Sequence, residues 1–393
     1  MDLIECTMDA PTHTRSPSRL PPVTRVQMDD YVPPKIACAW LGKPVVSVAQ
    51  FDTASLECVA TWSRALLSYS RATNKLTTTT YHYHATAPLL PCCSELFAVS
   101  SFLKAAVEAN TVPPLMRGKM LANVFYEAST RTMCSFAAAA QRLGGGVLPV
   151  SASSSSVKKG ETLQDTMRCL ECYADVLVLR HPVKGSAAIA AKYCENPVLN
   201  AGDGAGEHPT QALLDCYTIF SELGHLSGVT ITMVGDLKYG RTVHSLSRLA
   251  ALYGGVKLQL VSPAALALPQ YVLDQIEACK CADLEVTISE TLSDEILAAT
   301  DILYVTRIQK ERFPSPEAAA PFLNAFIISP ETLGKMKESA RVMHPLPRVG
   351  EILEACDADP RAAYFRQMRN GMFVRMALLA LATAEADTKS ACM

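Results

Sequence analysis

The residues best suited to chemistry in this chain are arginines, and they recur just after apolar runs. Val124-Phe125-Tyr126 is followed by Glu127-Ala128-Ser129-Thr130-Arg131-Thr132. The run 176–179 is followed by Arg180-His181-Pro182, and Met233-Val234 by Gly235-Asp236-Leu237-Lys238-Tyr239-Gly240-Arg241-Thr242. The run 303–305 leads into Thr306-Arg307-Ile308-Gln309-Lys310-Glu311-Arg312, and Val342-Met343 into His344-Pro345-Leu346-Pro347-Arg348. Arg suits phosphate and carboxylate because its planar fork bonds both bidentately. If the apolar runs are strands of open α/β sheets, ligands bind beyond their carboxyl ends. Arg131, Arg180, Arg241, Arg307 and Arg348 would then meet in one crevice, a site for a polyanionic substrate.

Other segments add polar groups to that pattern. Ser129-Thr130-Arg131-Thr132 opens a helical stretch. Free N–H groups at a helix start, three hydroxyls and a guanidinium suit a phosphate; the same residues also suit an ordinary Ser N-cap. The Ser-rich stretch 151–156, ending in Val157-Lys158-Lys159-Gly160-Glu161-Thr162, reads in two ways. It is a solvated loop, or a mobile arm that carries Ser and Lys to a phosphate. Gly204-Ala205-Gly206-Glu207-His208-Pro209-Thr210-Gln211 places His208 before a Pro at a helix start, on the loop side. Capping and active-site roles for His208 both stay open. The chain has no Walker loop, no nucleophile elbow with a Ser-His-Asp set, no HExxH and no GxGxxG after a strand. Triphosphatase, covalent-nucleophile, zinc-protease and dinucleotide readings lose support accordingly.

The elements that must position these residues follow from periodicity. Strand-like runs occupy 119–126, 175–179, 229–234, 257–261, 284–288, 302–305 and 341–343, with helical patterns at 132–143, 162–173, 209–223, 242–253 and about 370–384. Apolar strands separated by helices mean parallel sheets covered on both faces. Their number calls for an α/β protein of two domains, each a parallel sheet flanked by helices. Residues 1–44 are Pro-rich, lack periodicity and read as an irregular extension. A short strand at Val45-Val46-Ser47-Val48 and a helix capped by Asp52 or Thr53 follow. His82 and His84 lie in a Thr-rich polar loop with no third metal ligand nearby.

Composition narrows the function classes. The 393 residues carry 36 Lys+Arg against 38 Asp+Glu, a net charge of −2. That balance excludes a basic surface over the whole protein, of the kind that holds nucleic acid or anionic lipid. Apolar residues make up 49%, enough for globular cores. No run of 18 apolar residues occurs, so no membrane span is expected, and 372–384, which contains Arg375, reads as a buried helix. Fourteen Cys without a preceding secretory signal read as reduced, mostly buried thiols. Cys169 and Cys172 lie on a helical pattern and supply only two of the four ligands a zinc ion needs.

In order, Phe125-Tyr126-Glu127-Ala128-Ser129-Thr130-Arg131-Thr132, Lys159-Gly160-Glu161-Thr162, Arg180-His181-Pro182 and His208-Pro209-Thr210-Gln211 resemble the transcarbamoylase family. The segments 236–242, 306–312 and 344–348 resemble its aspartate-specific branch. Ornithine enzymes typically carry His-Cys-Leu-Pro near the position of Leu346 and lack the paired substrate arginines. The resemblance covers about residues 45–385 and implies carbamoyl transfer from carbamoyl phosphate to L-aspartate, in de novo pyrimidine biosynthesis. It implies that Ser129, Thr130, Arg131 and Thr132 bind the phosphate, and that Arg180, His208 and Thr132 hold the carbonyl oxygen, with Gln211 near the amino group. Ser155 and Lys159 would reach in from a neighbouring subunit of a homotrimer with shared sites. Arg241, Thr242, Arg307 and Gln309 would bind aspartate, and the Leu346 backbone and Pro347, joined by a cis bond, would orient the amine. Arg131, Thr132, Lys159, Arg180 and His208 would be the catalytic set, and Glu127 and Arg312 would hold the closed arrangement. The implied domains are 45–209 for carbamoyl phosphate, completed by 370–393, and 210–369 for aspartate. No metal or organic cofactor, nucleic acid or membrane is implied. The implied location is cytoplasmic, with organellar targeting by residues 1–44 left open. The rival readings are an ornithine-type enzyme, disfavoured because Arg241, Arg307 and Gln309 offer a cationic amine no counter-charge, and a non-catalytic regulatory relative.

Overall fold

Alternating apolar strands and helices build two parallel sheets. The computed structural model describes residues 91–151, 156–279 and 283–384. The first sheet contains β1 (Met120–Phe125), β2 (Gly146–Ser151), β3 (Val176–His181) and β4 (Val198–Asp203), in the order β2-β1-β3-β4. Around it lie α1 (Pro91–Glu108), α2 (Thr130–Arg142), α3 (Leu163–Glu171) and α4 (Ser186–Tyr193). Helix α5 (Pro209–Leu223) leads to the second sheet, made of β5 (Thr230–Val234), β6 (Lys257–Val261), β7 (Glu285–Ser289), β8 (Ile302–Val305) and β9 (Arg341–Met343). Its order is β7-β6-β5-β8-β9. The helices of this half are α6 (Arg241–Ala250), α7 (Gln270–Cys279), α8 (Asp294–Ala299), the short α9 (Pro316–Ala319) and α10 (Pro330–Gly334), and the long α11 (Tyr364–Thr383). Among the described residues every strand pair is parallel.

The strands alternate between two cores. Leu121 and Phe125 of β1, with Val176 and Val178 of β3, join a cluster that runs on through Phe97, Phe136, Leu213, Tyr217, Ile231, Met233, Leu246, Phe373 and Met376. Ala122, Val124, Leu177 and Leu179 face the opposite side, against Met167 and Ala190. In the second sheet Val234, Leu303 and Val305 point to a third cluster with Ile328, Leu333 and Tyr364. One continuous core therefore links the two sheets, and each sheet has its own outer core. Full burial of such a side chain contributes about 1.5–3 kcal/mol, so this shared core is what ties one sheet to the other. Helix α11 packs on α1, α2 and α5.

Several elements were not among those expected from periodicity, and three of them show why. Strand β2 contains Pro149, which an edge position tolerates because the missing N–H breaks no second ladder. Strand β4 is buried throughout yet carries Asn200, Gly202 and Asp203, so its polar residues mask its strand character. Helix α1 interrupts its buried face at Ser100, whose hydroxyl returns to the Leu96 carbonyl at 2.7 Å. Helix α11 also starts at Tyr364 rather than near 370. Of the cysteines whose side chains are described, Cys216 and Cys356 are buried as expected, whereas Cys134, Cys169 and Cys172 are exposed and Cys194 is half-buried. Cys169 lies in α3 and Cys172 caps its end. The segment containing Arg375 is a buried helix as expected, and no described helix is long and apolar enough to cross a membrane. The extension 1–44, the strand at Val45, the helix after Asp52 and the pair His82 and His84 lie outside the described residues.

Gly235 joins the two halves of the second sheet. It follows β5 at φ +118°, and a Cβ there would sit 2.2 Å from the Thr306 carbonyl oxygen. Only glycine lets the turns after β5 and β8 approach so closely. Gly235→Ala is expected to cost at least about 1–3 kcal/mol from backbone conformation alone. Thermal unfolding should show this as a Tm lower by several degrees; an unchanged Tm would mean the two turns do not meet as described.

Candidate active site

In both sheets the strand order reverses between neighbours whose following turns carry the arginines. The reversal lies between β1 and β3 in the first sheet and between β5 and β8 in the second. Such switch points open a crevice at the carboxyl ends of the strands. Arg131 follows β1, Arg180 ends β3, Arg241 opens α6 after β5, and Arg307 follows β8. The structure brings these four together. Glu127 Oε1 accepts from Arg180 Nη2 at 2.5 Å and from Arg241 Nη2 at 2.8 Å. Arg180 Nη1 donates to the Ala201 carbonyl at 3.1 Å, and Arg241 Nη1 to the Gly204 carbonyl at 2.6 Å. A Cβ at Gly202 would lie 3.0 Å from Arg180 Nη1 and 3.3 Å from Arg241 Cζ. The bare backbone of β4 is thus the floor on which both guanidinium groups rest.

The crowding registers in the protonation energetics. Burial, then the charge of Arg241, push the Arg180 guanidinium down to about 10 despite Glu127 opposite it. Partial burial, then Arg307, lower Arg131. Burial would raise the Glu127 carboxyl, but Arg241 and Arg180 together bring it below its ordinary range. His208 is 3% exposed. Burial, then Arg180, Arg241 and Arg375, hold it well below its ordinary value, so the ring is neutral at pH 7.

Two helix starts face this crevice without their usual caps. Ser129 is the N-cap of α2, yet its side chain makes no capping bond. His208 is the N-cap of α5, followed by Pro209, and also makes none. Its N–H donates to Ser245 Oγ at 3.0 Å, while its buried Nδ1 has no partner. The capping alternatives raised by the sequence are therefore not realised. Uncapped first-turn N–H groups, the hydroxyls of Ser129, Thr130 and Thr132, and the neutral imidazole remain to meet an anion and a carbonyl.

Arg307 is held from the far side. Both of its terminal nitrogens donate to Glu311, Nη1 at 3.0 Å. Asp236, fully buried, accepts from the backbone N–H of Tyr239 at 2.9 Å and of Gln309 at 3.1 Å. It thereby fastens the turn after β5 to the turn after β8. Thr242 lies in the first turn of α6 beside Arg241.

The segment 344–348 forms the remaining wall. The Leu346–Pro347 bond is cis, and Leu346 sits at φ +55°. Its carbonyl oxygen accepts from Arg131 Nη2 at 2.7 Å. Its N–H donates to His344 Nδ1 at 2.7 Å, which leaves the ring proton on Nε2, directed to Glu351 Oε1 at 2.7 Å. Burial lowers the His344 imidazole, with Glu351 opposing. His344 and Glu351 thus fix the one backbone unit that touches Arg131.

Not every expected residue joins this group. Arg348 turns away: it pairs with Asp357, with Nη2 at 2.7 Å, and lies over the Tyr364 ring at 5.4 Å. An acidic neighbour nine residues on takes it out of the crevice. Glu127 pairs with Arg180 and Arg241 rather than with Arg312. Lys159 is exposed at the end of a 3-10 turn, Ser156–Lys159. Ser155 lies outside the described residues. Gln211 is buried and directs its Nε2 to Asp215 at 2.9 Å. Sequence reasoning missed Glu351, Asp215, Tyr304 and Gln367, which touch site residues from behind. Glu351 stands seven residues after His344, and Asp215 one helical turn after Gln211. That spacing along α5 was the one signal available.

Known proteins are similar to this chain in sequence and fold. The family model for the aspartate/ornithine carbamoyltransferase carbamoyl-P binding domain matches residues 92–221, and that for the Asp/Orn binding domain matches 227–382. The aspartate carbamoyltransferase catalytic subunit of Thermoplasma volcanium is 46% identical over 286 residues, covering 72% of this chain and 92% of that protein. Multifunctional protein pyr1-3 of Dictyostelium discoideum is 52% identical over 286 residues, 73% of this chain. The chain spans only 13% of that much longer relative. The crystal structure of aspartate transcarbamoylase from Trypanosoma cruzi in complex with carbamoyl aspartate and phosphate superposes with a TM-score of 0.76 at 40% identity, covering 90% of this chain and 99% of that one. With both halves matched in order on a fold of the same kind, the chain belongs to the aspartate/ornithine carbamoyltransferase family.

Proposed function

We propose that the chain transfers the carbamoyl group of carbamoyl phosphate to the amine of L-aspartate, releasing N-carbamoyl-L-aspartate and phosphate, as a step of de novo pyrimidine biosynthesis. The observation that carries this reading is the convergence of Arg131, Arg180, Arg241 and Arg307 on one crevice beside an uncapped helix start. Two anionic substrates must be brought together, and fixed cations lower that cost. The Trypanosoma cruzi aspartate transcarbamoylase has been crystallised with carbamoyl phosphate and aspartate and is 39% identical to this chain.

Each residue then has a role that its surroundings favour. Ser129, Thr130, Arg131 and Thr132 take the phosphate at the start of α2. Arg180, Thr132 and neutral His208 face the carbamoyl oxygen, where negative charge develops as the amine attacks. Preorganised donors at such an oxygen contribute about 3–4 kcal/mol each. A neutral imidazole does this without adding another positive charge to the guanidinium cluster. Arg241, Thr242, Arg307 and Gln309 hold the two carboxylates of aspartate. The Leu346 carbonyl, placed by His344 and Arg131, orients the amine with Pro347. Phosphate leaves and takes the amine proton. Ornithine would set a cationic side chain against Arg241 and Arg307, which disfavours it.

Two features concern assembly. Lys159 is exposed, which fits a homotrimer in which Lys159 and Ser155 complete a neighbour's site. The domain division accompanying this is 45–209, completed by 370–393, for carbamoyl phosphate, and 210–369 for aspartate, with 1–44 as an extension. A cytoplasmic location goes with the reaction.

Purified protein should form carbamoyl-aspartate and give no product with ornithine; turnover with ornithine alone, or with neither amine, would refute the reading. Arg307→Ala should lower kcat/KM for aspartate by about 10²–10³-fold, the scale on which one preorganised donor acts, and Arg307→Lys should restore little because the fork is lost. Lys159→Ala and Arg131→Ala chains should each be inactive, yet regain activity when mixed and reassembled. No recovery in mixed assemblies would place both residues in one chain's site. Stability should also decline in acid. The folded-state values of His208, His244 and His344 all lie below the ordinary 6.5. Below pH 6.5 the unfolded chain therefore binds protons that the folded one refuses, and stability falls as pH falls. His344→Gln should flatten that limb in denaturant titrations between pH 5 and pH 7, and an unchanged slope would contradict the assignment.

A further inference from the structure

Asp215 is a buried charged group that the proposed chemistry leaves unused. It is fully buried, one turn along α5 from Gln211. Its oxygens accept three side-chain hydrogen bonds. Oδ1 takes Gln211 Nε2 at 2.9 Å and Gln367 Nε2 at 2.7 Å, and Oδ2 takes the Tyr304 hydroxyl at 2.8 Å.

Each donor belongs to a different wall of the crevice. Gln211 sits on the same turn of α5 as His208. Gln367, on α11, uses its Oε1 to accept the backbone N–H of His344 at 2.9 Å, and His344 places Leu346, which meets Arg131. Tyr304 lies in β8, three residues before Arg307.

We propose that Asp215 is a positioning residue of the carbamoyl transfer: one carboxylate, through Gln211, Gln367 and Tyr304, holds the carbamoyl, amine and aspartate walls in mutual register. This role rests on the reaction proposed above.

The residue type supports the role. A carboxylate accepts on both oxygens, so three donors from three elements can converge on it with no donor opposed to another. An apolar residue here would orphan three buried donors, and an unsatisfied buried group costs about 1–3 kcal/mol. Burial works against ionisation and pushes the Asp215 carboxyl up to about 7, while Gln367, Tyr304, Gln211 and the charge of Arg375 oppose it. Arg375, buried on α11, donates to Ser135 Oγ at 2.6 Å and stacks over Phe136 at 5.1 Å, both on α2. The charge facing Asp215 is therefore itself anchored to the helix that begins with the phosphate-facing residues.

Asp215→Asn keeps the volume but turns an NH2 group toward a donor, either the Tyr304 hydroxyl or the two glutamines. Misplacement of about 1 Å remote from the chemistry can cost about 10²-fold. In steady-state kinetics of the full chain, kcat for Asp215→Asn should fall about 10–100-fold, with KM for both substrates raised. Tyr304→Phe removes only the bond from β8 to Asp215 and should raise KM for aspartate several-fold while leaving KM for carbamoyl phosphate unchanged. A folded Asp215→Asn chain with wild-type kcat and KM values would show that the network serves stability alone and would overturn the role. If Asp215→Asn does not fold, an unchanged aspartate KM in Tyr304→Phe overturns it equally. An inactive wild-type chain would overturn the reaction and this role with it, whereas an active wild type with unaffected variants overturns only the role.

Discussion

The site depends on holding like charges together. Arg180 and Arg241 share a single carboxylate oxygen of Glu127, and Arg131 and Arg307 are close enough to influence one another. Two unit charges about 5 Å apart repel by roughly 3 kcal/mol at an effective dielectric near 20. No set of surface side chains would stay in that arrangement unaided. Here each guanidinium is fixed by acceptors: Ala201 and Gly204 carbonyls, the Leu346 carbonyl, Glu127 and Glu311. Much of the irregular backbone exists to present those acceptors. Gly202 clears the floor, and the left-handed Leu346 aims its carbonyl at Arg131.

Topology makes such an arrangement affordable in chain length. Each parallel sheet has one place where successive connections leave in opposite directions, and the turns there diverge to open a crevice. The sequence uses both places. Residues 127–132 and 180–182 flank one opening, and 235–242 and 306–312 flank the other. The shared core through Tyr217, Met233 and Phe373 sets the two openings against each other. Asp236 then stitches the two turns of the second sheet, so Arg241 and Arg307 move as a unit.

Much of this was legible in the sequence, and the reasons are local. Strands β6, β8 and β9 and helix α5 were placed to the residue because apolar runs and an N1 proline mark their ends. Arg131, Arg180, Arg241 and Arg307 could be grouped because each lies at or soon after the end of an apolar run. Arg348 obeyed the same pattern and was misplaced, since proximity to a strand end says nothing of Asp357, which pulls it away. Strand β4 stayed hidden because it spends side-chain positions on Asn200, Gly202 and Asp203, two of which serve the site or its turns. Asp215 and Gln367 were invisible for a deeper reason. They are 152 residues apart, and a long-range polar network leaves no periodic trace.

The same electrostatics explain why the crevice and the proposed substrates suit each other. A cluster of cations partly removed from water is a cost the folded state carries, visible in the lowered values of Arg131 and Arg180. Dianionic ligands cancel that cost, so part of their binding free energy comes from relief of repulsion already built into the fold. His208 remains neutral beside these charges, which keeps the crevice from becoming still more positive. In the proposed reaction the guanidinium groups would meet charges that exist before and after binding, whereas His208 and Arg180 would face an oxygen whose charge grows only as the carbon–nitrogen bond forms. Donors fixed in advance around that oxygen need not reorganise when it does, and the buried contacts behind them are what keep them fixed.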